Sequence, residues 1–171
     1  DRDILGRCDD SVVRTPPGGS RITDHRAPVF VRRARGYTPA PIELPCAGLP
    51  VLALGAYLKN TACLTRGTQA FLSQHIGDLD NAASCEALEG AVAHLQAVLE
   101  LRPQAVAHDL HPDFFSTRLA QRVAAELGVP AIGVQHHHAH IAAICAEHGV
   151  VAPVLGLALD GVGHGEDDAC D

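Results

Sequence analysis

Residues 105–140 read AVAHDLHPDFFSTRLAQRVAAELGVPAIGVQHHHAH and contain one complete strand–helix–strand unit. Two short apolar runs, 105–107 and 131–134, predict strands. Between them, apolar side chains recur every three or four positions, as one face of a helix requires, at Leu119, Ala120, Val123, Ala124 and Leu127. Gly128 and Pro130 end this helix before the second strand begins. Strands joined by a helix run parallel, so this stretch predicts a parallel pair covered by a helix.

The chain on either side continues the alternation of strands and helices. Apolar runs predict strands at 51–56, 61–64, 70–73 and 154–159, with a turn at Gly67 between the second and third of them. Apolar periodicity predicts helices at 84–101 and 138–147, and Ser84 is a suitable N-terminal cap for the first. This order of elements predicts an α/β domain with a largely parallel sheet.

The first 50 residues show little helical periodicity. Residues 15–20 (TPPGGS) predict a turn, and 29–31 predict a short strand. The closely spaced prolines that follow predict an extended interdomain linker, and they are Pro39, Pro41, Pro45 and Pro50. The basic side chains just before them, Arg32, Arg33 and Arg35, either bind an anion or belong to a solvated linker.

Composition excludes several classes of protein. The chain has 171 residues and a formal net charge of −7, which argues against general nucleic-acid binding. No apolar run approaches the length of a membrane span. The six cysteines form no C-x-x-C pair, and their wide spacing is typical of reduced thiols in a cytoplasmic protein. The chain contains no methionine and begins with Asp1, which suggests a piece of a longer protein.

Polar clusters follow three of the predicted strands, directly after Ala107, Val134 and Leu159. In parallel sheets, ligands bind at the carboxyl ends of strands, so these clusters predict a site. His136 and His140 are four residues apart at the start of a helix, which puts both imidazoles on one face and within reach of one metal ion. Asp160 ends the neighbouring strand and is the natural third ligand. The alternative is a helix N-terminus with solvated histidines, and His137 and His138 are expected to point elsewhere.

Other polar segments leave two interpretations open. Residues 160–165 (DGVGHG) form a glycine-rich turn whose backbone N–H groups either cradle phosphate oxygens or simply connect two elements. Lys59 and Asn60 lie in a tight turn between strands, where they either meet phosphate or form a plain polar hairpin. The segments 74–78 and 109–112 each pair a histidine with an aspartate, either behind a metal ligand or within a satisfied turn.

Taken together, these motifs resemble the HypF family, the carbamoyltransferases that mature NiFe hydrogenase. QHHHAHIAA at 135–143 and ALDGVGHG at 158–165 carry the resemblance. It extends back along the chain through five further motifs, in order: DLHPDFFSTRLA, SQHIGDLDN, LGAYLKNTACL, RRARGYTPAPI and RCDDSVVR.

The resemblance implies a domain arrangement and an activity. Residues 1–45 would be the tail of a YrdC-like domain with its proline-rich linker, and 46–171 the first half of an actin-like ATPase (ASKHA, TsaD-like) domain. The family makes carbamoyl adenylate from carbamoyl phosphate and ATP. It then transfers the carbamoyl group to the C-terminal cysteine of the partner protein HypE.

Carried over by motif, His136, His140 and Asp160 would bind a divalent metal, either iron or zinc. Gly161, Gly163 and Gly165 would lie against nucleotide phosphates. The family pattern DGTGYG reads DGVGHG here, and the residues after Glu166 depart from it. The family's further carboxylate ligand and second ATPase half are absent from these residues, so we expect the chain alone not to complete the reaction.

Two other functions remain open at this stage. One is a related O-carbamoyl or threonylcarbamoyl transferase, which the junction of RCDDSVVR with RRARGY disfavours. The other is a metal-binding or partner-binding module without catalytic activity.

Overall fold

The computed structural model of this chain describes residues 9–14 and 29–161. The strands are β1 (Val12–Arg14), β2 (Val29–Arg32), β3 (Ile42–Gly48), β4 (Val51–Ala53), β5 (Cys63–Leu72), β6 (Ala105–Asp109) and β7 (Ala131–Val134). The helices are α1 (Ala82–Leu99), α2 (Phe115–Leu127) and α3 (His136–Glu147). The turn predicted at 15–20, together with Gly163 and Gly165, lies outside the described residues.

The strands form two sheets, an antiparallel pair β1–β2 and a five-stranded sheet in the order β3-β5-β4-β6-β7. The pairs β4–β6 and β6–β7 are parallel, whereas β3–β5 and β5–β4 are antiparallel. The mixed α/β fold is therefore confirmed, but the expectation of a largely parallel sheet is wrong. The loop 54–62 joins β4 to β5 and permits their antiparallel pairing, while helix α2 joins the parallel strands β6 and β7.

One long strand replaces two predicted short ones. The segments 61–64 and 70–73 both overlap the ten-residue strand β5 (Cys63–Leu72), which continues through Gly67. Gly67 has φ of 60° and pairs with Gly48, where the register between β3 and β5 shifts. A positive φ bends a strand at such a bulge without reversing the chain, which is why the glycine does not produce a turn.

The proline-rich stretch is also a strand for most of its length. Residues Ile42–Gly48 form β3 at the edge of the sheet, paired with β5, so the linker interpretation is wrong there. An edge strand tolerates Pro45 because only one side of it must supply hydrogen bonds. The division of the chain into domains at residue 45 stays a prediction.

Helix boundaries differ from the predictions by a few residues. Helix α1 begins at Ala82 rather than Ser84, because the side chain of Asn81 caps it by accepting a hydrogen bond from Ser84 N. Helix α2 ends at Gly128 as predicted, with φ of 67°. Helix α3 begins at His136, two residues early, where the Gln135 side chain accepts from His138 N at 2.6 Å.

The strand predicted at 154–159 is absent. No strand of the described residues pairs with this segment, and Leu155, Leu157 and Leu159 are exposed. An apolar run becomes a strand only when a neighbouring strand takes its backbone hydrogen bonds, and none lies beside it here. The prediction is therefore wrong for this structure.

The hydrophobic core lies between the five-stranded sheet and the helices α1 and α2. Its fully buried side chains include Leu52, Leu54, Leu64, Leu88 and Val106. Truncating one such leucine to alanine costs about 2–5 kcal/mol, so this core makes a large contribution to the stability of the fold. None of the helices described in the structure has the length and hydropathy needed to cross a membrane.

Candidate metal centre

The parallel strands β6 and β7 bring the polar clusters together at one edge of the sheet. Asp109, the last residue of β6, pairs in register with Val134, the last residue of β7. Helix α3 begins two residues later, at His136. The carboxyl end of one strand therefore stands beside the helix that follows the other, as the sequence predicts for this type of sheet.

His136, His140 and Asp160 form a triangle of potential ligand atoms. His136 Nε2 lies 3.2 Å from His140 Nε2 and 3.2 Å from Asp160 Oδ2. The third side, from His140 Nε2 to Asp160 Oδ2, is 3.4 Å. Two ligand atoms at 2.0–2.1 Å from a tetrahedral cation are about 3.3–3.4 Å apart, so all three sides fit one divalent metal ion. The predicted set is thus brought together in a geometry that suits a metal.

The Asp160 carboxylate is surrounded by three imidazoles. Desolvation raises the pKa of this carboxyl, but its own backbone N–H and the imidazoles of His137, His140 and His136 outweigh that effect. The net result is a pKa below the usual value for aspartate. The carboxylate is therefore held in its ionised form, which is the form that binds a cation.

Asp109 lies behind His136, on the side away from the triangle. Its Oδ2 is 2.6 Å from His136 Nδ1, and its Oδ1 accepts a hydrogen bond from His111 N at 2.8 Å. The sequence predicts that this aspartate either forms part of a turn or contacts a metal-binding histidine. In the structure it does both, because Oδ1 accepts a hydrogen bond within the turn and Oδ2 contacts His136.

The expectation that the side chain of His137 points away from the site is wrong. Its Nε2 lies 3.3 Å from Asp160 Oδ1, the oxygen that His136 and His140 do not contact. Helical side chains lean towards the N-terminus, and with α3 beginning at His136 the side chain of His137 reaches the same carboxylate. For His138 the described contact is made by its backbone N–H, to Gln135.

The loop that carries Lys59 and Asn60 has a structural role. Asn60 is 2% exposed, and its Nδ2 donates to Leu54 O at 2.8 Å and to Ala56 O at 2.9 Å. Lys59 has φ of 49°, and its backbone N–H donates to Asp78 Oδ1. Asn60 therefore shapes the loop from inside, while Lys59 is exposed on its outer side.

Two arginines of the basic trio pair with carboxylates. Arg32 Nη1 lies 2.7 Å from Asp9 Oδ2, and Arg35 Nη1 lies 3.4 Å from Asp10 Oδ1. Arg33 donates from Nη2 to Ala40 O. These partners belong to the chain itself, so neither a bound anion nor a purely solvated linker describes Arg32 and Arg35.

Comparison with known proteins identifies relatives along nearly the whole chain. The family model described as the HypF Kae1-like domain matches residues 47–147. Carbamoyltransferase HypF2 of Cupriavidus necator is 66% identical over 98% of this chain, and Carbamoyltransferase HypF of Rhizobium leguminosarum bv. viciae is 50% identical over 98%. In each case the match covers 20% of the relative.

Solved structures agree with these matches. A crystal structure of full-length HypF in a phosphate- and nucleotide-bound form superposes with a TM-score of 0.84 at 42% identity, over 99% of this chain and 21% of that one. The crystal structure of HypF from T. kodakarensis gives a TM-score of 0.81 at 38% identity, over 95% of this chain and 20% of that one. The chain thus spans about a fifth of the length of these relatives. Sequence and fold agree along nearly all of its residues, and the chain belongs to the HypF family.

Proposed function

We propose that this protein is a carbamoyltransferase of NiFe hydrogenase maturation, and that the chain supplies the metal-binding edge of its transferase site. The observation that carries the proposal is the triangle of His136, His140 and Asp160, with sides of 3.2–3.4 Å. It lies in a chain that is 66% identical to a named carbamoyltransferase. In the reaction, water converts carbamoyl phosphate into carbamate and phosphate, and the carbamate then attacks the α-phosphorus of ATP to give carbamoyl adenylate and pyrophosphate. The C-terminal cysteine thiolate of HypE then attacks the carbamoyl carbon and AMP leaves.

The three ligand residues hold a divalent cation in this proposal. A bound cation would orient phosphate oxygens and polarise the carbamoyl carbonyl. His136 and His140 supply neutral nitrogen ligands, and Asp160 supplies the negative charge that partly balances the ion. Iron and zinc both accept this donor set.

Two further segments, the glycine-rich residues 160–165 and the loop that carries Lys59, would bind the nucleotide phosphates. Gly161, Gly163 and Gly165 would let backbone N–H groups approach phosphate oxygens closely. Lys59 is exposed on a loop tied to α2, since Ser116 Oγ donates to Ala56 O at 2.8 Å. This connection supports a role for Lys59 near the same edge, with Asn60 shaping its loop. The nucleotide-bound form named for a solved relative supports nucleotide use.

The cysteines support a reducing compartment, and we place the protein in the cytoplasm. The four cysteines in the described part of the chain are free, namely Cys46, Cys63, Cys85 and Cys145. A cytoplasmic location also matches the acceptor, since a HypE cysteine must be a free thiol to receive the carbamoyl group.

The proposal is tested by replacing two candidate ligand residues in the full-length protein. We expect the His136→Ala/His140→Ala double variant to lose bound metal, measured by elemental analysis, together with carbamoyl-phosphate-dependent ATP–pyrophosphate exchange. The matched control replaces two exposed histidines away from the triangle, His94→Ala/His148→Ala, and keeps both.

Two results would contradict the proposal. Unchanged metal content in the ligand double variant would remove the assignment of His136 and His140. Absence of the exchange activity in the unaltered, metal-loaded protein would exclude the carbamoyltransferase and favour a metal-binding module without catalytic activity.

A further inference from the structure

Asp109 uses its two carboxylate oxygens for two different purposes. Its side chain is 5% exposed, so both oxygens need hydrogen-bond donors inside the protein. Oδ1 takes the backbone N–H of His111, two residues along the chain. Oδ2 lies 2.6 Å from Nδ1 of His136, which comes from a different element, 27 residues away. A turn alone needs only the first of these contacts.

The backbone around Asp109 is fixed as firmly as its side chain. Its carbonyl oxygen lies 3.1 Å from the Thr117 hydroxyl, which donates to it, and 2.7 Å from His108 Nδ1. Thr117 is buried in α2, and Asp109 itself ends β6 in register with β7. The backbone that carries this carboxylate is therefore held by contacts to two neighbouring elements, α2 and β7.

We infer that Asp109 is a positioning residue that keeps the His136 proton on Nδ1 and turns its Nε2 lone pair towards His140 and Asp160. A carboxylate accepts but does not donate, so the 2.6 Å contact of Asp109 with Nδ1 requires a proton there, whereas the longer 3.2 Å contact of Asp160 with Nε2 is the one that a bound cation would replace. With a proton held on Nδ1, Nε2 is the nitrogen that is left unprotonated to bind a metal ion. This inference rests on the proposed metal centre and adds to it a residue that does not touch the metal.

The substitution Asp109→Asn separates this role from the turn. The His111 N–H still needs an acceptor, so it holds the Asn carbonyl oxygen in the Oδ1 position and places the amide NH₂ where Oδ2 was. That amide donates to His136 Nδ1 and forces the ring proton onto Nε2, which then cannot ligate. The turn survives, and the ligand is lost.

We expect Asp109→Asn to bind Co²⁺ about 10–100-fold more weakly than the unaltered protein, the range found for partners of ligating histidines. The measurement is a Co²⁺ titration followed by visible absorption, on the protein at its gene-encoded length, with thermal unfolding as a check on the fold. Asp113→Asn is the matched control, because this exposed aspartate lies in the same connection and should leave Co²⁺ affinity unchanged. His136→Ala, titrated in parallel, shows the effect of losing the ligand itself.

The outcomes separate this inference from the proposed function. If His136→Ala weakens Co²⁺ binding and Asp109→Asn does not, the metal centre stands and the positioning role is overturned. If neither variant weakens binding, the metal centre fails, and this inference fails with it. Should Asp109→Asn not fold, long-range ¹H–¹⁵N spectra of the unaltered protein loaded with Zn²⁺ decide the matter. A His136 proton on Nδ1 supports the inference, and an Nδ1 without a proton overturns it.

Discussion

Each carboxylate oxygen of Asp160 faces the ring nitrogen of at least one histidine. His136 and His140 approach Oδ2, while His137 approaches Oδ1 from the same turn of α3. A carboxylate contacted on both oxygens has less freedom to rotate than one contacted on a single oxygen. Less conformational entropy is then lost when a cation binds, and preorganisation of this kind improves affinity.

At the same scale, the cysteines of the chain differ in reactivity. Burial raises the pKa of the Cys63 thiol to about 11, so at pH 8 only about one Cys63 in a thousand is the reactive thiolate. Cys46 is exposed. We expect iodoacetamide at pH 8 to modify Cys46 well before Cys63, and the Cys63 rate to rise with pH up to about 11. Timed alkylation followed by peptide mass spectrometry measures both rates, and equal rates at pH 8 would contradict the burial of Cys63.

The sequence predicts the candidate ligand residues but not the residues that position them. His136 and His140 are predictable because the helical period fixes which side chains share a face. His137 is not, because its direction depends on the exact residue at which α3 begins. The contact of Asp109 with His136 depends on the register between β6 and β7, which no local pattern encodes.

At the scale of the element, the loop between β4 and β5 depends on a glycine. Gly55 has φ of +64°, and a Cβ there would lie 3.1 Å from Asn60 Nδ2 and 3.3 Å from Thr61 O. Asn60 is the buried residue that ties this loop together through Leu54 O and Ala56 O. A side chain at Gly55 would therefore both strain the backbone and push on the loop's internal support.

Two glycine substitutions should change stability in opposite directions. We expect Gly55→Ala to lower the free energy of unfolding by about 1–3 kcal/mol, the cost of placing a residue with a Cβ in left-handed backbone. Gly90 lies inside α1 with open space around it, so Gly90→Ala should raise the free energy of unfolding by about 0.5–1 kcal/mol. Urea unfolding of both variants tests this pair. A stabilising Gly55→Ala would show that the loop does not adopt this conformation.

The elements that the sequence predicts correctly are those with a local signal. Helix α2 has clear apolar periodicity and ends at Gly128 before Pro130, strand β7 is the apolar run that follows, and their predicted positions are confirmed. The predictions for strands β5 and β3 are wrong because glycine and proline are common in turns and linkers but also occur in bulged and edge strands, as Gly67 and Pro45 do here. The strand predicted at 154–159 is absent for a non-local reason, because a segment forms a strand only when another strand pairs with it.

At the scale of the whole molecule, the candidate metal centre draws on three separate stretches of the chain. Asp109 ends β6, the histidines begin α3, and Asp160 follows an exposed apolar segment. The parallel strands β6 and β7 position Asp109 and helix α3, and Asp160 joins them through its contacts with the histidines.

The most direct test of this account is a crystal structure of the metal-loaded protein, with anomalous diffraction recorded at the absorption edge of the bound metal. The account predicts one anomalous peak inside the triangle, about 2.0–2.2 Å from His136 Nε2, His140 Nε2 and Asp160 Oδ2. An anomalous peak elsewhere, with none within bonding distance of these three atoms, would contradict it.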